Sequence, residues 1–146
     1  MNMKKIVIFG ATGNVGSYVH KYACEYFKDR YEVIASGHRQ TDFFEKQGQK
    51  YVSVDISKAE DFDKLPQEDV YAVIDLAAQI PSYMKGYHPE KYVQSNIMGA
   101  YNVLEYCRKV HADRILFSTT VFDISLSATN GAVLKPDMPY NFSYKG

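Results

Sequence analysis

The sequence has no tryptophan, only two cysteines and no excess charge of either sign. Its 17 Lys and Arg residues balance 17 Asp and Glu residues, and no basic run is long enough to follow a phosphate backbone. We therefore expect no binding to nucleic acid. No apolar run approaches the roughly 18 residues of a membrane-spanning helix, so we expect no membrane segment either.

The few cysteines and histidines narrow the chemistry further. Cys24 and Cys107 fall in separate predicted helices, where free buried thiols are expected because cytosolic thiols stay reduced. The four histidines show no metal-ligand spacing with one another or with cysteine, so no metal site is expected. The apolar run at residues 6–9 is too short for a signal peptide and is followed by glycine, which favours a cytoplasmic protein.

Strand and helix patterns alternate along the chain. Short, β-rich apolar runs predict strands at residues 4–9, 31–35, 50–54, 70–76 and 114–118. Apolar residues at helical spacing predict helices at residues 14–28, 42–47 and 90–110, with a further helix after residue 57. This βαβ alternation predicts an α/β fold with a parallel sheet and right-handed crossovers, in one domain over residues 1–146.

Three local patterns make more detailed predictions. Ser57 and Glu60 have the spacing of a capping box, with Ser57 as the helix cap. Tyr18, Tyr22 and Tyr26 recur every four residues and predict the packing face of the first helix. The apolar face predicted for helix 90–110 consists of Tyr92, Val93, Ile97, Ala100, Val103, Leu104 and Cys107.

A glycine-rich turn with the sequence GATGNVG connects the first strand to the first helix. Gly10 permits a tight turn, Gly13 lets the backbone approach a pyrophosphate, and Gly16 lets the helix pack closely on the strand. The helix N-terminus supplies free N–H groups to phosphate. The turn therefore predicts a dinucleotide site in a Rossmann-type doubly wound parallel sheet, and the alternative is a purely structural turn. The cofactor-binding residues predicted here are Gly10, Thr12, Gly13, Asn14, Val15 and Gly16.

The end of the second predicted strand bears on the choice between NAD and NADP. A carboxylate at this point would accept hydrogen bonds from the ribose of NAD, but the first acid is Asp42. Ser36 and Arg39 can instead hold a 2′-phosphate, Arg39 through charge-assisted bonds. The sequence therefore favours NADP, with NAD as the alternative cofactor and a solvated Arg39 as the alternative interpretation.

The spacing of the glycines carries a resemblance to a known family. Both gaps are three residues long, with Ala-Thr-Gly inside the turn. The sequence in this respect resembles the extended short-chain dehydrogenase/reductase superfamily, which includes the NAD-dependent epimerases and dehydratases of nucleotide sugars. Matching segments follow in the family's order at residues 54–56, 76–78, 96–104 and 117–122.

The resemblance implies further cofactor contacts after the third and fourth strands. Asp55 would contact adenine, with Ile56 beside it, unless Asp55 is only a turn or helix-capping aspartate. The small-residue turn of Leu76, Ala77 and Ala78 would let the ribose and the nicotinamide pass close to the backbone.

The stretch at residues 96–104 resembles the family's Asn-x-x-Gly-Thr-x-Asn-Leu-Leu segment on the long helix. Asn96 is assigned to the cofactor site, and Asn96 and Asn102 are interpreted as structural or supporting groups. Gly99 in mid-helix costs about 1 kcal/mol relative to alanine, so close helix packing is its expected purpose.

The resemblance also implies catalytic groups, and here the match is incomplete. The family places a hydroxyl on the reacting sugar oxygen after the fifth strand. Thr120 takes that position when counted from the strand start, and Thr119 when counted back from residues 121–122. The family's acid/base pair is a Tyr with a Lys four residues later, whose charge lowers the pKa of the phenol. Tyr87 and Lys91 have this spacing only by chance, because they precede the long helix.

We therefore expect the cofactor-binding part of an NAD(P)-dependent epimerase, dehydratase or reductase of a nucleotide sugar, truncated before the substrate-binding region and itself inactive. A non-catalytic NADP-binding sensor is one alternative. A reductase of a non-sugar substrate is another, because Phe122 and Asp123 replace the family's Tyr and Gly. The resemblance also suggests a homodimer formed through helix 90–110.

Overall fold

The structure, a computed structural model, describes residues 3–80, 88–119, 133 and 135–137. One parallel sheet with the strand order β3-β2-β1-β4-β5 forms its centre. The strands are β1 (Lys4–Phe9), β2 (Tyr31–Gly37), β3 (Lys50–Ser53), β4 (Val70–Asp75) and β5 (Arg114–Phe117). The order confirms the predicted doubly wound fold, since strands on both sides of β1 are reached by crossovers.

Helical segments connect the strands. They are α1 (Asn14–Phe27), 3₁₀ turns at Glu45–Gln47 and Ala59–Lys64, α2 (Pro89–Tyr92), a π-helical segment (Val93–Met98) and α3 (Gly99–Lys109). The helix predicted at residues 42–47 is only the Glu45–Gln47 turn, which Gly48 ends in a left-handed conformation with φ 69°. The long helix predicted at residues 90–110 is present but contains the π-helical segment.

The predicted capping box at Ser57 and Glu60 is wrong. The 3₁₀ segment begins at Ala59, and no side chain caps its N-terminus. The Ser57 hydroxyl instead donates to the Asp55 carboxylate at 2.7 Å, and the Ser57 N–H donates to the same oxygen at 3.1 Å. Because Asp55 offers a charged acceptor two residues away, the serine completes a turn around the aspartate rather than a helix cap.

Two apolar layers cover the two faces of the sheet. Ile6 and Ile8 of β1 face the layer that contains Ala23 of α1, while Val7 and Phe9 face the opposite layer. That second layer holds a cluster of three rings, in which Phe9 lies 5.5 Å from Phe62 and 6.3 Å from Tyr106 between centroids. β1 is therefore buried on both faces, as its continuous apolar run requires.

The packing face predicted for α1 is wrong in the structure. Tyr18, Tyr22 and Tyr26 are 64%, 60% and 76% exposed. The buried residues of α1 are Gly16, His20 and Ala23. Large apolar residues define the helical period in the sequence, but the close approach of α1 to the sheet selects small residues and one histidine.

His20 is the polar residue on this buried face. Its ring meets the Phe44 ring edge-on, with 5.0 Å between centroids, and burial lowers the pKa of its imidazole. The Cys24 sulfur lies 3.5 Å from His20 Nε2. Cys24 and Cys107 are both free, as expected, but they are half-buried rather than fully buried.

The buried face of α3 agrees with the prediction at Val103 and Cys107, which pack in the core, and differs from it elsewhere. Val93, Ile97 and Leu104 are exposed, and the buried residues are Gly99, Asn102, Val103 and Tyr106. A Cβ added at Gly99 would lie 2.6 Å from the Ile56 Cδ1 atom, so the glycine permits close packing as predicted. The Asn102 amide donates to the Ile56 carbonyl at 2.8 Å. The contact of α3 with Ile56 is thus made by a glycine and an asparagine, and a search for apolar residues at helical spacing does not find such residues.

Asp75 brings a carboxyl group into the interior at the end of β4. It is 2% exposed, and its Oδ1 atom accepts a hydrogen bond from the Ala77 N–H at 3.0 Å. Burial raises the pKa of the Asp75 carboxyl, and the Ala77 bond opposes that shift. Burial, with the nearby Asp75, also raises the pKa of the Cys107 thiol to about 11. The charged form of Asp75 is therefore disfavoured in the folded protein.

Asp75→Asn should raise the thermal midpoint at pH 7 by a few degrees, roughly the effect of 1 kcal/mol. The folded protein holds the Asp75 proton more tightly than the unfolded chain, so stability is lost as pH rises from about 4 through the folded pKa. The amide keeps an acceptor for Ala77 and carries no charge. Thermal unfolding measured between pH 3.5 and 8 should show that the thermal midpoint of the Asp75→Asn variant exceeds that of the wild type at neutral pH, and that this difference disappears at the acid end.

The exposed Asp63 provides the matched control, because Asp63→Asn removes a carboxylate that is not buried. This control variant should show no comparable gain at pH 7. A gain for Asp75→Asn of the same size at every pH, or no gain at pH 7, would contradict the account.

Candidate functional site

The parallel sheet brings the predicted site residues together at the carboxyl ends of its strands, which form the carboxyl edge of the sheet. Gly10 follows β1, Leu76 follows β4, and Asp55 lies two residues after β3. β1 and β4 are neighbours in the sheet. From β1 the chain continues to β2 on one side, and from β4 it continues to β5 on the other side. In open α/β sheets this point, at the carboxyl ends of the strands, is where ligands bind.

Gly10 occupies a position that only glycine fits. Its φ is +77°, and an added Cβ would lie 2.7 Å from the Leu76 carbonyl carbon and 2.8 Å from the Ala77 nitrogen. The Leu76 N–H donates to the Phe9 carbonyl at 3.1 Å, which holds the two strand ends together. The turn after β1 therefore packs directly on the turn after β4.

Gly16 permits the closest contact in the turn. An added Cβ would lie 2.0 Å from the Gly10 carbonyl oxygen, well inside any real contact. The Gly13 N–H donates to the same oxygen at 2.9 Å. The first turn of α1 is thus held against the end of β1 by backbone contacts alone.

The N-terminus of α1 is open toward the carboxyl edge of the sheet. Gly13 is its N-cap, no side chain caps it, and its first turn contains no acidic residue. The first hydrogen bond of the helix runs from the Ser17 N–H to the Gly13 carbonyl. The N–H groups of Asn14, Val15 and Gly16, which precede it, therefore have no partner within the helix. Free N–H groups and the helix dipole at one point favour an anion such as phosphate.

The glycine turn is also joined to the end of β2. The Ala11 N–H donates to the Ser36 carbonyl at 3.0 Å. A Cβ added at Gly37 would lie 2.9 Å from the Thr12 hydroxyl oxygen, so Thr12 packs on the backbone of Gly37. Thr12 therefore lies between the glycine turn and the segment that follows β2.

The placement of Ser36 differs from the one predicted for a phosphate ligand. Ser36 is fully buried, and its hydroxyl has no hydrogen-bond partner among the described residues. Register pairs Ser36 with Phe9 on one side and Val52 on the other, on the face covered by the Phe9 layer. The alternation of side chains along β2 therefore directs the hydroxyl into the core, away from solvent.

Arg39 lies on the exposed segment after β2, as a phosphate ligand would. Within the described chain it forms no ion pair, and the nearest following acid, Asp42, pairs with Lys46 at 2.7 Å. The Tyr51 hydroxyl contacts the main-chain carbonyls of both Gly37 and Arg39. The guanidinium is thus unpaired in this region, while its backbone is anchored.

Asp55 adopts the turn conformation given above as an alternative. One carboxylate oxygen accepts the two bonds from Ser57, and the Asp55 N–H donates to the Asp61 carboxylate at 2.8 Å. The Lys58 ammonium lies 4.0 Å from the second oxygen. This turn role leaves the second oxygen without a hydrogen bond in the described structure. Ile56 is buried against Gly99, which gives it a packing role.

The turn after β4 is supported by Asn96. The Asn96 carbonyl oxygen accepts from the Gln79 N–H at 2.7 Å, and its amide donates to the Gln79 carbonyl at 3.0 Å. The two bonds tie the segment after Ala77 and Ala78 to the π-helical segment. The structural interpretation of Asn96 agrees with this geometry, since the side chain holds backbone rather than facing an open site.

The segment after β5 reaches the same edge. The Ser118 N–H and hydroxyl approach the Asp75 carbonyl at 3.2 and 3.3 Å, and Thr119 is exposed beside them. Thr120 lies outside the described residues, as do Tyr87 and Tyr144. The structure thus places Thr119 near the end of β4 without describing its alternative.

No group of His, Cys, Asp or Glu in the described ranges could hold a metal ion. None of the described helices is long and apolar enough to cross a membrane.

Sequence reasoning missed two members of this site, Gly37 and Tyr51. Gly37 follows the strand predicted at residues 31–35, where a glycine indicates only a break in the strand, yet it gives the space for Thr12. Tyr51 is a strand residue whose hydroxyl bonds to backbone 12 and 14 residues earlier. The sequence shows only that Tyr51 lies on a short strand, and this does not predict which main-chain groups its hydroxyl contacts.

Comparison with known proteins places these features in a family. The profile of the NAD dependent epimerase/dehydratase family matches residues 6–143. An uncharacterized protein of Methanocaldococcus jannaschii is 20% identical over 132 residues, which cover 82% of this chain and 40% of that protein.

Solved structures share the fold. Uronate dehydrogenase from Agrobacterium tumefaciens, as a variant complexed with NAD, matches with a TM-score of 0.68 and 20% identity over 96% of this chain and 49% of its own. The Helicobacter pylori ADP-L-glycero-D-manno-heptose-6-epimerase has a TM-score of 0.72 and 20% identity, covering 95% and 46%. UDP-glucuronic acid 4-epimerase from Bacillus cereus, as a variant in complex with UDP-4-deoxy-4-fluoro-glucuronic acid and NAD, has a TM-score of 0.70 and 25% identity, covering 94% of this chain and 46% of its own.

The chain spans about half the length of these solved structures. The family profile nonetheless covers nearly all of it, including the glycine turn and the strand ends that meet it. The chain therefore belongs to the NAD-dependent epimerase/dehydratase family.

Proposed function

We propose that this chain is the cofactor-binding part of an NADP-dependent epimerase, dehydratase or reductase that acts on a nucleotide sugar. The uncapped N-terminus of α1, held against the end of β1 by Gly10 and Gly16, is the observation that carries the proposal. It presents N–H groups at the sheet position where ligands of such folds bind. Membership of an NAD-dependent family supports the same cofactor class.

The residues of this edge fit a dinucleotide. The N–H groups of Asn14, Val15 and Gly16 would hold the pyrophosphate, with Thr12 beside them. The free oxygen of Asp55 would accept from the adenine amino group, and Ala77 would give room for the ribose. When bound, the nicotinamide supplies hydride transfer, and the protein supplies position and orientation.

Arg39 supports NADP as the cofactor within this proposal. It is exposed after β2, unpaired in the described structure, and the acid at residue 42 is already paired with Lys46. A guanidinium can bind a 2′-phosphate through charge-assisted bonds, whereas a carboxylate is the group that suits the ribose of NAD. Because Ser36 is enclosed in the core, the phosphate contact is proposed for Arg39 alone.

Arg39→Ala should weaken NADP binding by about 10-fold or more, the range for losing a charge-assisted hydrogen bond. NAD binding should be unchanged, because NAD has no 2′-phosphate. Isothermal titration of the chain with each dinucleotide measures both affinities. Arg30→Ala is the matched control. Arg30 is an exposed arginine directly before β2, so it lies at the amino-terminal ends of the strands, opposite the proposed site. Equal affinity of the wild type for NADP and NAD, or an equal loss for both, would refute the phosphate contact.

The nucleotide-sugar substrate is proposed from the relatives and from the segment after β5. Two of the matched structures are epimerases named for nucleotide-linked sugars, and the third is a uronate dehydrogenase. Thr119 is exposed at the site edge next to Ser118, which bonds to the end of β4. A hydroxyl at Thr119 or Thr120 would donate to the reacting sugar oxygen and orient it.

The chain should bind cofactor without catalysing turnover. The Tyr-x-x-x-Lys pair that relays the proton in this family does not occur after β5 in the sequence. When the chain is mixed with NADP or NAD and UDP-glucose or UDP-glucuronate, NMR should show no conversion of the sugar nucleotide, and absorbance at 340 nm should stay constant. The NMR readout is needed because an epimerase or dehydratase regenerates its cofactor and causes no net absorbance change. Turnover that disappears in the Thr119→Ala, Thr120→Ala double variant would contradict this expectation.

The alternative function is a non-catalytic NADP-binding sensor, which a full-length protein without this pair would favour. Such a protein would use the same glycine turn and Arg39 but would need no substrate hydroxyl. The two functions differ in their response to sugar nucleotides. In the full-length protein, binding of UDP-glucuronate that is lost in the same Thr119 and Thr120 double variant supports the enzyme, and NADP binding without sugar-nucleotide binding supports the sensor.

A homodimer through the long helical segment is also proposed. The side chains of Val93, Ile97, Tyr101 and Leu104 form an exposed apolar stripe, with spacings of three and four residues. Ile97→Glu should convert a dimer to a monomer in sedimentation equilibrium, while Tyr22→Glu on α1 should leave the mass unchanged. A dimer that survives Ile97→Glu, or a monomeric wild type, would exclude this interface.

A further inference from the structure

Tyr51 reaches from β3 to the segment that follows β2. Its hydroxyl lies 2.8 Å from the Gly37 carbonyl oxygen and also contacts the Arg39 carbonyl. The Val54 N–H donates to the same Gly37 oxygen at 2.9 Å. Among the described residues, the Tyr51 hydroxyl makes the single hydrogen bond to Arg39. The backbone that presents the guanidinium is therefore anchored by one side chain.

The ring of Tyr51 is fixed in place. It stacks on the Phe44 ring, with 5.0 Å between centroids and 3° between planes. Phe44 is itself buried, and the rings of His20 and Phe43 meet it edge-on. Burial raises the pKa of the Tyr51 phenol, so the hydroxyl stays protonated and remains a donor at neutral pH.

The same hydroxyl lies beside the glycine turn. A Cβ added at Gly37 would be 2.9 Å from the Thr12 hydroxyl oxygen and 3.5 Å from the Tyr51 hydroxyl oxygen. Thr12 and Tyr51 therefore approach the Gly37 backbone at one point. This contact links the position of the Arg39 segment to the turn proposed to hold the pyrophosphate.

We infer that Tyr51 is a positioning residue that holds Arg39 at a fixed distance from the glycine turn and thereby sets the preference for NADP over NAD. The inference rests on the proposed function, because it assigns Tyr51 an effect on the 2′-phosphate contact. A dinucleotide spans both elements, so its 2′-phosphate meets Arg39 only if the segment after β2 keeps its place. The pyrophosphate contact at α1 needs no such support.

Tyr51→Phe tests the inference because it keeps the ring on Phe44 and removes only the hydroxyl. Titration calorimetry of the chain should show NADP affinity reduced about 5-fold, as expected for one lost hydrogen bond, with NAD affinity unchanged. In an Arg39→Ala background, Tyr51→Phe should have no further effect on NADP affinity, since the two residues act through one contact.

Tyr106→Phe is the matched control. The Tyr106 hydroxyl donates to the Pro66 carbonyl at 2.7 Å, a tyrosine-to-backbone bond of the same kind in the layer around Phe9. This variant should lower the thermal midpoint without changing the ratio of NADP to NAD affinity. A purely structural role for Tyr51 would give the same result as this control.

The outcomes separate the two proposals. A wild type that prefers NADP through Arg39, with a Tyr51→Phe variant of the same preference, overturns the inference about Tyr51 alone. Equal loss of NADP and NAD affinity in Tyr51→Phe, or an undiminished effect in the Arg39→Ala background, also overturns it. A wild type that binds neither dinucleotide, or both equally, overturns the proposed NADP site together with this inference.

Discussion

The structure depends on one backbone contact, between the Gly10 carbonyl and the first turn of α1 at Gly16. A side-chain carbon at Gly16 would lie 2.0 Å from that oxygen, so no other residue allows the helix to start so close to the strand. The contact places the open N-terminus of α1 at the carboxyl end of the central strand. A single steric requirement thus positions free N–H groups that attract phosphate.

The remaining site elements are joined to this turn by backbone bonds and close packing. The Ala11 N–H bonds to Ser36 in β2, Leu76 bonds to Phe9, and Gly10 packs on the turn after β4. Farther out, side chains replace backbone as the connection: Tyr51 holds the segment after β2, and Asn96 holds the segment after β4. The site is therefore most firmly built at the proposed pyrophosphate position, and the proposed selectivity for NADP depends on the outer side chains.

Much of the fold could be predicted because its signals are local. The strand runs, their alternation with helices and the glycine turn each depend on neighbouring residues, and the structure agrees with them. Apolar periodicity predicted Val103 correctly but missed most of the buried residues of α1 and α3, because glycine, asparagine and histidine also make close contacts there. The roles of Ser36 and Tyr51 depend on strand register and on contacts between distant segments, which the sequence does not specify.

The most direct test of the account is a titration of the ¹⁵N-labelled chain with NADP, followed by backbone amide chemical shifts. The account predicts that the amides of Asn14, Val15 and Gly16 shift together and saturate with one affinity, because their N–H groups bind the pyrophosphate. Adenosine should leave these amides unmoved, since it carries no phosphate. Saturable shifts elsewhere with these three amides unchanged, or no shifts at all, would contradict the claim that this turn is a dinucleotide site.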